Sequence, residues 1–366
     1  MTQQIIFCAS YGEIRRTLYL AERYGRESPV AIVIPGINDL YLFFREIVRK
    51  KALPVMVGLI YFESYRSQRM RKAGIARLVY TICDIIRERR WLREIYRTYF
   101  TEMRGCDVYF HNRGFSGTLF YLVLKLGRKN RVVNTSPTPP GLEPPRKYTP
   151  GSIAELASLV ILKLIYGFDI ALGVLPNTRG FIFMTDAFIG KTVDRVIGWE
   201  EIEEMMKDFD YTRFRVFDTG KYRVIYFDNS LVEAGYVADR EMYRKEMRAI
   251  FTVLTRHFPE SEIARKYHPS YPDDKTLIDC GDVLPDFIPA ELLYDENLVL
   301  YLGFFSYSIS NIEKGKVLSL MDLVTFKDSA VRDLLKNNLL QVSRAKVVFP
   351  ASLEELEREI AALKEQ

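Results

Sequence analysis

The chain has 366 residues, of which 48% are hydrophobic, 13% aromatic and 27% charged. This is the composition of a folded protein long enough for two domains, and it excludes a disordered, collagen-like or coiled-coil chain. The cysteines lie far apart without a Cys-x-x-Cys spacing, which argues against a zinc ribbon or a redox pair and favours small buried thiols in a reducing cytosol. These cysteines are Cys8, Cys83, Cys106 and Cys280.

The net charge of +5 is concentrated in one region. Residues 44–104 hold 15 Lys and Arg against 6 Asp and Glu, with Trp91 and other aromatic residues among them. This basic region predicts peripheral contact with an anionic membrane or an anionic polymer, and the alternative is the solvated face of a helix. The N-terminus has no signal-peptide pattern, and charged residues interrupt the most apolar stretch, 153–176. We therefore expect a cytoplasmic protein, peripheral on the inner face of the cell membrane.

Short β-rich runs alternate with helix-period segments along the first half of the chain. The predicted strands are Ile5–Ala9, Val30–Pro35, Pro54–Ile60, Asp107–Phe110 and Arg131–Asn134. Six prolines in Thr135–Gly151 predict a loop without regular structure at a strand's carboxyl end. The alternation predicts a parallel sheet with helices on both of its faces.

A second alternating series follows a helical stretch at Trp199–Asp208 and a short linker. Its predicted strands are Arg223–Asp228, Ala264–His268, Leu277–Cys280, Leu298–Phe304 and Val317–Leu323. Its predicted helices are Asp239–His257, Pro289–Leu293, Ser308–Lys314, Ser329–Leu335 and Ser352–Lys364. The predicted fold class is α/β, with two facing Rossmann-like domains (1–215 and 216–350), an interdomain cleft and a C-terminal helix (351–366).

The most informative motif is a predicted strand that ends in His268-Pro269. Proline disfavours helix for the residue before it and cannot continue a central strand, so His268 is predicted to lie at the strand's carboxyl end. Open α/β sheets bind their ligands there. A histidine in that place donates a hydrogen bond to a phosphate or gives a proton to a departing phosphate oxygen. The alternative is a structural histidine.

Two further segments have residues suited to binding a nucleotide. The strand that ends near Gly303 leads into Ser306 and Ser308 at a predicted helix start, where hydroxyls and free N–H groups form a phosphate seat without a metal. Simple capping of the helix by either serine is the alternative. Between the two motifs, Glu291 follows Pro289 in the first turn of a short helix and is placed to accept both ribose hydroxyls of a nucleotide. The helix dipole alone also favours an acid at that position.

Taken together, His268-Pro269, Pro289-Ala290-Glu291 and Gly303-Phe304-Phe305-Ser306 resemble the donor-binding half of bacterial lipooligosaccharide and capsule sialyltransferases. The chain is most similar to glycosyltransferase family 52, with the bacterial polysialyltransferases as relatives. The resemblance covers Lys221–Leu323 and implies a GT-B fold whose first domain binds the acceptor and whose second binds the donor, with no metal and no cofactor. The chain departs from the family where Tyr307 separates its two serines, and where no acid follows the strand that ends at Asn134.

The resemblance also implies roles for single residues. His268, Ser306 and Ser308 are expected to contact the donor phosphate, with Pro269 in the same segment, and Glu291 is expected to contact the ribose. An acid near the start of the second domain is expected to be the catalytic base, which leaves Asp228 and Glu233 as candidates. Asp228 is favoured because it ends a predicted strand, although an Asx turn explains it equally well. Further candidates for the base or for acceptor binding lie in the first domain: Glu143, His111, Arg113 and the Ser10-Tyr11-Gly12 turn.

The sequence thus predicts a metal-independent inverting glycosyltransferase. It would move a sialic acid or a related ulosonic acid from a CMP-activated donor to a glycan hydroxyl in cell-surface polysaccharide or lipooligosaccharide synthesis. The expected partners are the CMP-sugar, a glycan acceptor that is lipid-linked if the basic region binds membrane, and no nucleic acid. Two alternatives stay open, namely a GT-B transferase with another nucleotide sugar and a non-catalytic membrane- or polyanion-binding module of polysaccharide assembly.

Overall fold

A computed structural model describes residues 3–63, 65, 75–110, 122–123, 125–135, 146–147, 172–174, 181–183, 194–268, 275, 277–310 and 312–363. The chain divides into two compact units, Met1–Arg213 and Phe214–Gln366. The division falls two residues before the predicted boundary at 215/216, and the C-terminal helix lies within the second unit.

The first unit is built around a parallel sheet. Its described strands are β1 (Gln4–Phe7), β2 (Val30–Pro35), β3 (Val57–Phe62), β4 (Asp107–Phe110), β5 (Arg131–Asn134), β6 (Arg146–Lys147), β7 (Leu172–Val174), β8 (Phe181–Phe183) and β9 (Arg195–Val196). Its described helices are α1 (Ile14–Gly25), α2 (Asn38–Arg49), α3 (Ile75–Tyr99) and α4 (Trp199–Met205). The main sheet has the order β3-β2-β1-β4-β5-β9, with every neighbouring pair parallel. All residues of β1 and β2 are buried, as expected for strands covered on both faces.

The second unit repeats this arrangement. Its strands are β10 (Val224–Phe227), β11 (Ile263–Lys266), β12 (Asp282–Val283), β13 (Leu300–Gly303), β14 (Lys316–Ser319) and β15 (Val347–Val348). Its helices are α5 (Arg240–His257), α6 (Tyr307–Ser310), α7 (Ser329–Val342) and α8 (Leu353–Ala361). The sheet order is β12-β11-β10-β13-β14-β15, again parallel throughout.

Both sheets therefore have the same strand order. When only the strands of each six-stranded sheet are counted, it is 3-2-1-4-5-6, the order of the doubly wound dinucleotide-binding fold. The prediction of an α/β protein with two Rossmann-like domains is confirmed. In each sheet the order reverses beside the first strand, between β1 and β4 and between β10 and β13. Ligands of such sheets bind outside the carboxyl ends of the strands at this switch point.

Helix α5 shows how the sequence directs packing in the second unit. Its buried residues recur at helical spacing and face the sheet, and include Tyr243, Met247, Ile250 and Leu254. The helix begins after Asp239, whose side chain accepts hydrogen bonds from the N–H groups of Glu241 and Met242, at 2.8 and 3.1 Å.

The predicted strand at Leu277–Cys280 is wrong. These residues do not pair with a neighbouring strand, because the buried Arg265 guanidinium binds the carbonyl oxygens of Ile278 and of Gly281. Pairing with β11 starts only after Gly281, which adopts φ +74°. The hydrophobic run therefore has the sequence pattern of a strand, but it forms a loop whose carbonyl oxygens bind Arg265.

Two further predictions need correction. The proline-rich segment Thr135–Gly151 is not wholly irregular, because β6 pairs with β7 in an antiparallel sheet of order β6-β7-β8. Of the four cysteines, Cys83 is exposed, since it lies on the solvent side of α3, whereas the other three are buried. Among the described residues, no helix is long and apolar enough to cross a membrane.

Candidate functional site

The candidate site lies where three adjacent strands of the second sheet end. Asp228 follows the central strand β10, and the neighbouring strands β11 and β13 lead to His268 and Ser306. Because all three strands are parallel, these residues gather at the same edge of the sheet, at its switch point. The sequence-predicted phosphate and base residues are thus brought to one edge.

Asp228 connects two of these loops. Its side chain is buried, with one carboxylate oxygen accepting the Ser230 N–H at 3.2 Å and the other accepting the His268 N–H at 3.4 Å. Its own N–H donates to the Lys266 carbonyl at 2.9 Å. Ser230 adopts φ +56°, in the left-handed region, so the chain turns sharply after β10. The Asx-turn contact to Ser230 is formed, and the same carboxylate also fixes the backbone of His268.

The imidazole of His268 is half-buried, and its charge state follows from that position. Burial lowers the pKa of His268, the nearby Lys266 ammonium lowers it further, and the Asp228 carboxylate opposes them. The ring is therefore neutral at pH 7. A neutral imidazole donates one N–H hydrogen bond and accepts one at its other nitrogen.

The third group at this edge of the sheet is the hydroxyl of Ser306. Its oxygen is buried, and within the described part of the chain it has no hydrogen-bond partner. The alternative of simple capping by Ser306 is not formed among the described residues: its carbonyl accepts the N–H groups of Ile309 and Ser310, at 3.1 and 3.3 Å, but its hydroxyl oxygen accepts neither. The predicted helix Ser308–Lys314 is also only the single turn α6, so a helix dipole contributes little here.

The approach to Ser306 is tightly packed. Gly303 leaves no space for a side chain, since a Cβ there would lie 3.2 Å from the Phe227 carbonyl oxygen and 3.0 Å from the Ile309 side chain. Just beyond it, the N–H of Phe304 donates to the Asn229 side chain at 2.9 Å. The ends of β10 and β13 are therefore held together by side-chain and backbone contacts.

Glu291 and Ser308 belong to neighbouring segments linked by a tyrosine. The Tyr294 hydroxyl donates to the Ser308 carbonyl at 2.5 Å, and its ring packs edge-on against Phe227 at 6.3 Å. Glu291 is half-buried in a 3-10 turn, where burial raises its pKa and the Lys266 ammonium opposes that shift. Burial raises the pKa of the partly buried Tyr294, and the Glu291 carboxyl raises it further.

Lys266 is a residue of this site that the sequence analysis missed. It is 4% exposed at the end of β11, and its ammonium donates to the carbonyl oxygens of Asp286 at 3.0 Å and Tyr267 at 3.3 Å. The charge lies close enough to affect both His268 and Glu291. A lysine inside a predicted buried strand, two positions before His-Pro, was the available signal.

The other predicted site residues are placed differently. Glu233 lies exposed in the turn after β10, apart from the buried Asp228. Pro269, His111, Arg113 and Glu143 lie outside the described residues. Within the described part of the chain, no group of three or more His, Cys, Asp or Glu is arranged to hold a metal ion.

The first unit has a buried acid at its own switch point, and the sequence analysis missed it. Glu13 follows β1 and is 1% exposed, with its two carboxylate oxygens accepting from the Ala9 N–H and the Ser10 hydroxyl, both at 2.8 Å. Burial raises the pKa of Glu13 to about 8, against the opposing effect of Arg16. A Ser-x-x-Glu spacing after a predicted strand was the signal for it.

The basic region contributes one exposed helix face. Arg90, Arg93 and Arg97 recur at spacings of three and four along α3, so they lie on one side of it, and all three are exposed. Leu92 on the opposite side is buried in the core of the unit. Among the residues that the structure describes, none of these arginines pairs with an acid.

Comparison with known proteins gives remote similarities only. No protein-family profile and no curated protein sequence matches the chain. Among solved structures, it is similar to Phytolacca americana UGT2 in complex with UDP-2-fluoro-glucose and pterostilbene. Identity is 11% and the TM-score 0.41, over 98% of this chain and 89% of that one.

Two further solved structures are similar to the same degree. A UDP-glucosyltransferase from Polygonum tinctorium is 12% identical with a TM-score of 0.39, over 100% of this chain and 93% of that one. A UDP-N-acetylglucosamine 2-epimerase from Rickettsia bellii is 12% identical with a TM-score of 0.39, over 100% and 96%. None of these names is that of a sialyltransferase. At such scores the likeness carries no argument about donor or reaction.

Proposed function

We propose that the protein is a metal-independent inverting glycosyltransferase whose second unit binds the nucleotide of an activated sugar. The observation that carries this proposal is the convergence of Asp228, His268 and Ser306 at the switch point of a Rossmann-like sheet, where the Ser306 hydroxyl has no hydrogen-bond partner among the described residues. One buried hydroxyl, one neutral imidazole and one nearby ammonium suit the phosphate of a bound nucleotide.

Each residue has a proposed role in the transfer. His268 donates its ring N–H to the donor phosphate, and the Ser306 and Ser308 hydroxyls donate to the same group. These donors stabilise the charge that develops on the leaving nucleotide as the sugar–phosphate bond breaks. Glu291 accepts hydrogen bonds from the ribose hydroxyls. Asp228 is the sequence-predicted base, and its contact with the His268 backbone makes it in addition the residue that positions the imidazole.

The proposed donor is a CMP-activated sialic acid or related ulosonic acid, on the strength of the motifs around His268 and Ser306. Its acceptor is a glycan hydroxyl of a cell-surface polysaccharide or lipooligosaccharide. A different nucleotide sugar is the alternative. The identity of the nucleotide base is therefore the first point to measure.

A thermal-shift panel with CMP, UDP, GDP and ADP tests the proposal. A ligand at about 100 times its dissociation constant adds ~2.7 kcal/mol to the stability of the folded state, so a bound nucleotide raises the melting temperature clearly. We expect CMP to stabilise the wild type, and His268→Ala and Ser306→Ala to lose that response. His257→Ala, at the end of α5, is the matched control and should keep it. Stabilisation by UDP alone would show that the donor carries uridine and not cytidine. No response to any nucleotide would contradict the proposal.

We further propose that the arginine face of α3 brings the protein to the cytoplasmic surface of an anionic membrane. Exposed arginines without acidic partners bind lipid phosphates, each adding about 1 kcal/mol near such a surface. Vesicles with 30% phosphatidylserine should sediment the wild type at low salt, and Arg90→Gln/Arg93→Gln/Arg97→Gln should remain in solution. A membrane-bound triple variant would contradict this assignment, and binding of soluble polyanions alone would favour the non-catalytic module.

A further inference from the structure

The loop after β10 carries a second polar side chain, next to Asp228, that contacts a different strand end. The Asp228 carboxylate accepts the His268 N–H after β11. The side-chain oxygen of Asn229 instead accepts the Phe304 N–H after β13, at 2.9 Å. The strand order of the sheet reverses between β10 and β13. Asn229 therefore joins the two strand ends at the switch point, where sheets of this kind bind their ligands.

The bond to Phe304 fixes the direction in which the Asn229 amide group points. A backbone N–H only donates, so the side-chain oxygen must face it and the NH2 group must face away from it. Asn229 is partly exposed, and in the part of the chain that the structure describes its Nδ2 has no hydrogen-bond acceptor. An oriented donor of this kind can donate to a molecule bound at the strand ends.

A second group at the same strand end also points to a ligand. Ser306 lies two residues after Phe304, and its hydroxyl oxygen is buried without a hydrogen-bond partner among the described residues. Buried polar atoms in folded proteins are nearly always hydrogen-bonded, so a bound group that completes this hydroxyl is expected. Both donors start from one closely packed junction, because a Cβ at Gly303 would lie 3.2 Å from the Phe227 carbonyl oxygen.

We propose that Asn229 is a further residue of the donor site, whose NH2 group donates a hydrogen bond to an anionic oxygen of the bound nucleotide sugar. This inference rests on the proposed function. Two groups of the proposed donor offer such an oxygen, namely its phosphate and the carboxylate of an ulosonic acid. Both groups only accept hydrogen bonds when ionised, so an amide NH2 group is a suitable partner for either.

A purely structural role for Asn229 makes a different prediction. If the residue only joins β10 to β13, it needs an acceptor for the Phe304 N–H and nothing more. Asn229→Asp keeps that acceptor in a side chain of nearly the same size and shape, and it replaces the NH2 group by a second carboxylate oxygen. The substitution therefore keeps the junction and places a charged acceptor where the donor was.

The experiment measures the affinity of the full chain for CMP, for cytidine and for an unreactive 3-fluoro analogue of CMP-N-acetylneuraminic acid. Asn229→Asp should weaken binding of CMP or of the analogue by about tenfold or more, the usual effect of losing a hydrogen bond to a charged group, and leave cytidine unchanged. A loss already present with CMP assigns the bond to the phosphate, and a loss confined to the analogue assigns it to the carboxylate. Asn338→Asp adds the same charge at an exposed position of α7 and should match the wild type.

High salt separates a direct contact from a general effect of the added charge. At 1 M NaCl the screening length is about 3 Å, so only the loss of a direct hydrogen bond should still weaken binding. Asn229→Ala removes the amide without adding charge, and it should show the same selective loss if Asn229→Asp does not fold. Equal losses for CMP and cytidine, or no loss for any ligand at 1 M NaCl, would overturn the inference. A wild type that binds none of the three ligands would overturn the proposed donor and, with it, this role of Asn229.

Discussion

At the scale of single residues, burial decides which of the polar side chains are informative. His268, Asp228 and Ser306 could be identified from the sequence because each follows a recognisable strand. His268 also precedes a proline, and Ser306 is one of two closely spaced serines. Lys266 and Glu13 left only weaker signals, a lysine inside a predicted strand and a Ser-x-x-Glu spacing, because their significance lies in being buried, and lysine and glutamate are usually exposed. The sequence favoured Asp228 over Glu233 because Asp228 ends a predicted strand, and the structure buries the first and exposes the second.

The buried Glu13 predicts an unusual dependence of stability on pH. Its pKa rises from 4.5 in the unfolded chain to about 8 in the folded one, so between these values only the folded state holds the proton. Unfolding then releases a proton, and the free energy of unfolding falls by about 1.4 kcal/mol per pH unit as pH rises through this window. Glu13→Gln should remove this component, so that the variant gains stability relative to the wild type from pH 5 to 8. A constant difference in urea midpoint between the two proteins over that range would contradict the buried, protonated state.

At the scale of elements, the sequence predicted strand positions well. The prediction failed where a side chain, and not a neighbouring strand, binds the backbone carbonyl groups. β2, β4 and β5 have the predicted bounds, because each is a compact apolar run ending at a polar or turn residue. Leu277–Cys280 has the same pattern but is captured by Arg265. Local periodicity carries no information about such a long-range contact. It also does not predict the two-residue strand β15.

The turn at Gly281 is predicted to be intolerant of substitution. A Cβ there would lie 2.7 Å from the Ile263 carbonyl oxygen, and its φ of +74° is strained for any other residue. We expect Gly281→Ala to cost more than 1 kcal/mol of stability. Gly12→Ala is the control, because nothing lies within 4 Å of the added methyl group. Equal urea midpoints for the two variants would show that the turn relaxes without cost.

The N-terminus of α5 allows a second test at the scale of single elements, with a smaller expected change in stability. Removing the Asp239 side chain leaves the N–H groups of Glu241 and Met242 without their acceptor, at a typical cost of ~1 kcal/mol. Asp239→Asn keeps an acceptor oxygen and should lose only a fraction of that. If Asp239→Ala and Asp239→Asn unfold at the same urea concentration, the capping contact does not stabilise the helix.

At the scale of the whole molecule, the division into two Rossmann-like halves is the feature that sequence periodicity anticipated most completely. Two separate runs of strand and helix predicted two Rossmann-like halves, and the structure has two compact units with the same 3-2-1-4-5-6 order. The functional assignment is less complete, because donor and acceptor depend on a few loop side chains and not on the fold.

Two units with separate cores should also unfold separately. We expect calorimetry to resolve two transitions, with Glu13→Gln shifting one and Gly281→Ala shifting the other, since the residues lie in different units. A single transition moved by both variants would show that the units unfold as one cooperative body.

The central claim is that the second unit binds a nucleotide through its phosphate. The most direct measurement is calorimetric titration of the wild type and of His268→Ala/Ser306→Ala with CMP, cytidine and UMP. The account predicts that CMP binds at least tenfold more tightly than cytidine, that UMP binds more weakly than CMP, and that the double variant loses the difference between CMP and cytidine. Equal affinity of the wild type for CMP and cytidine, or no binding of either, would contradict it.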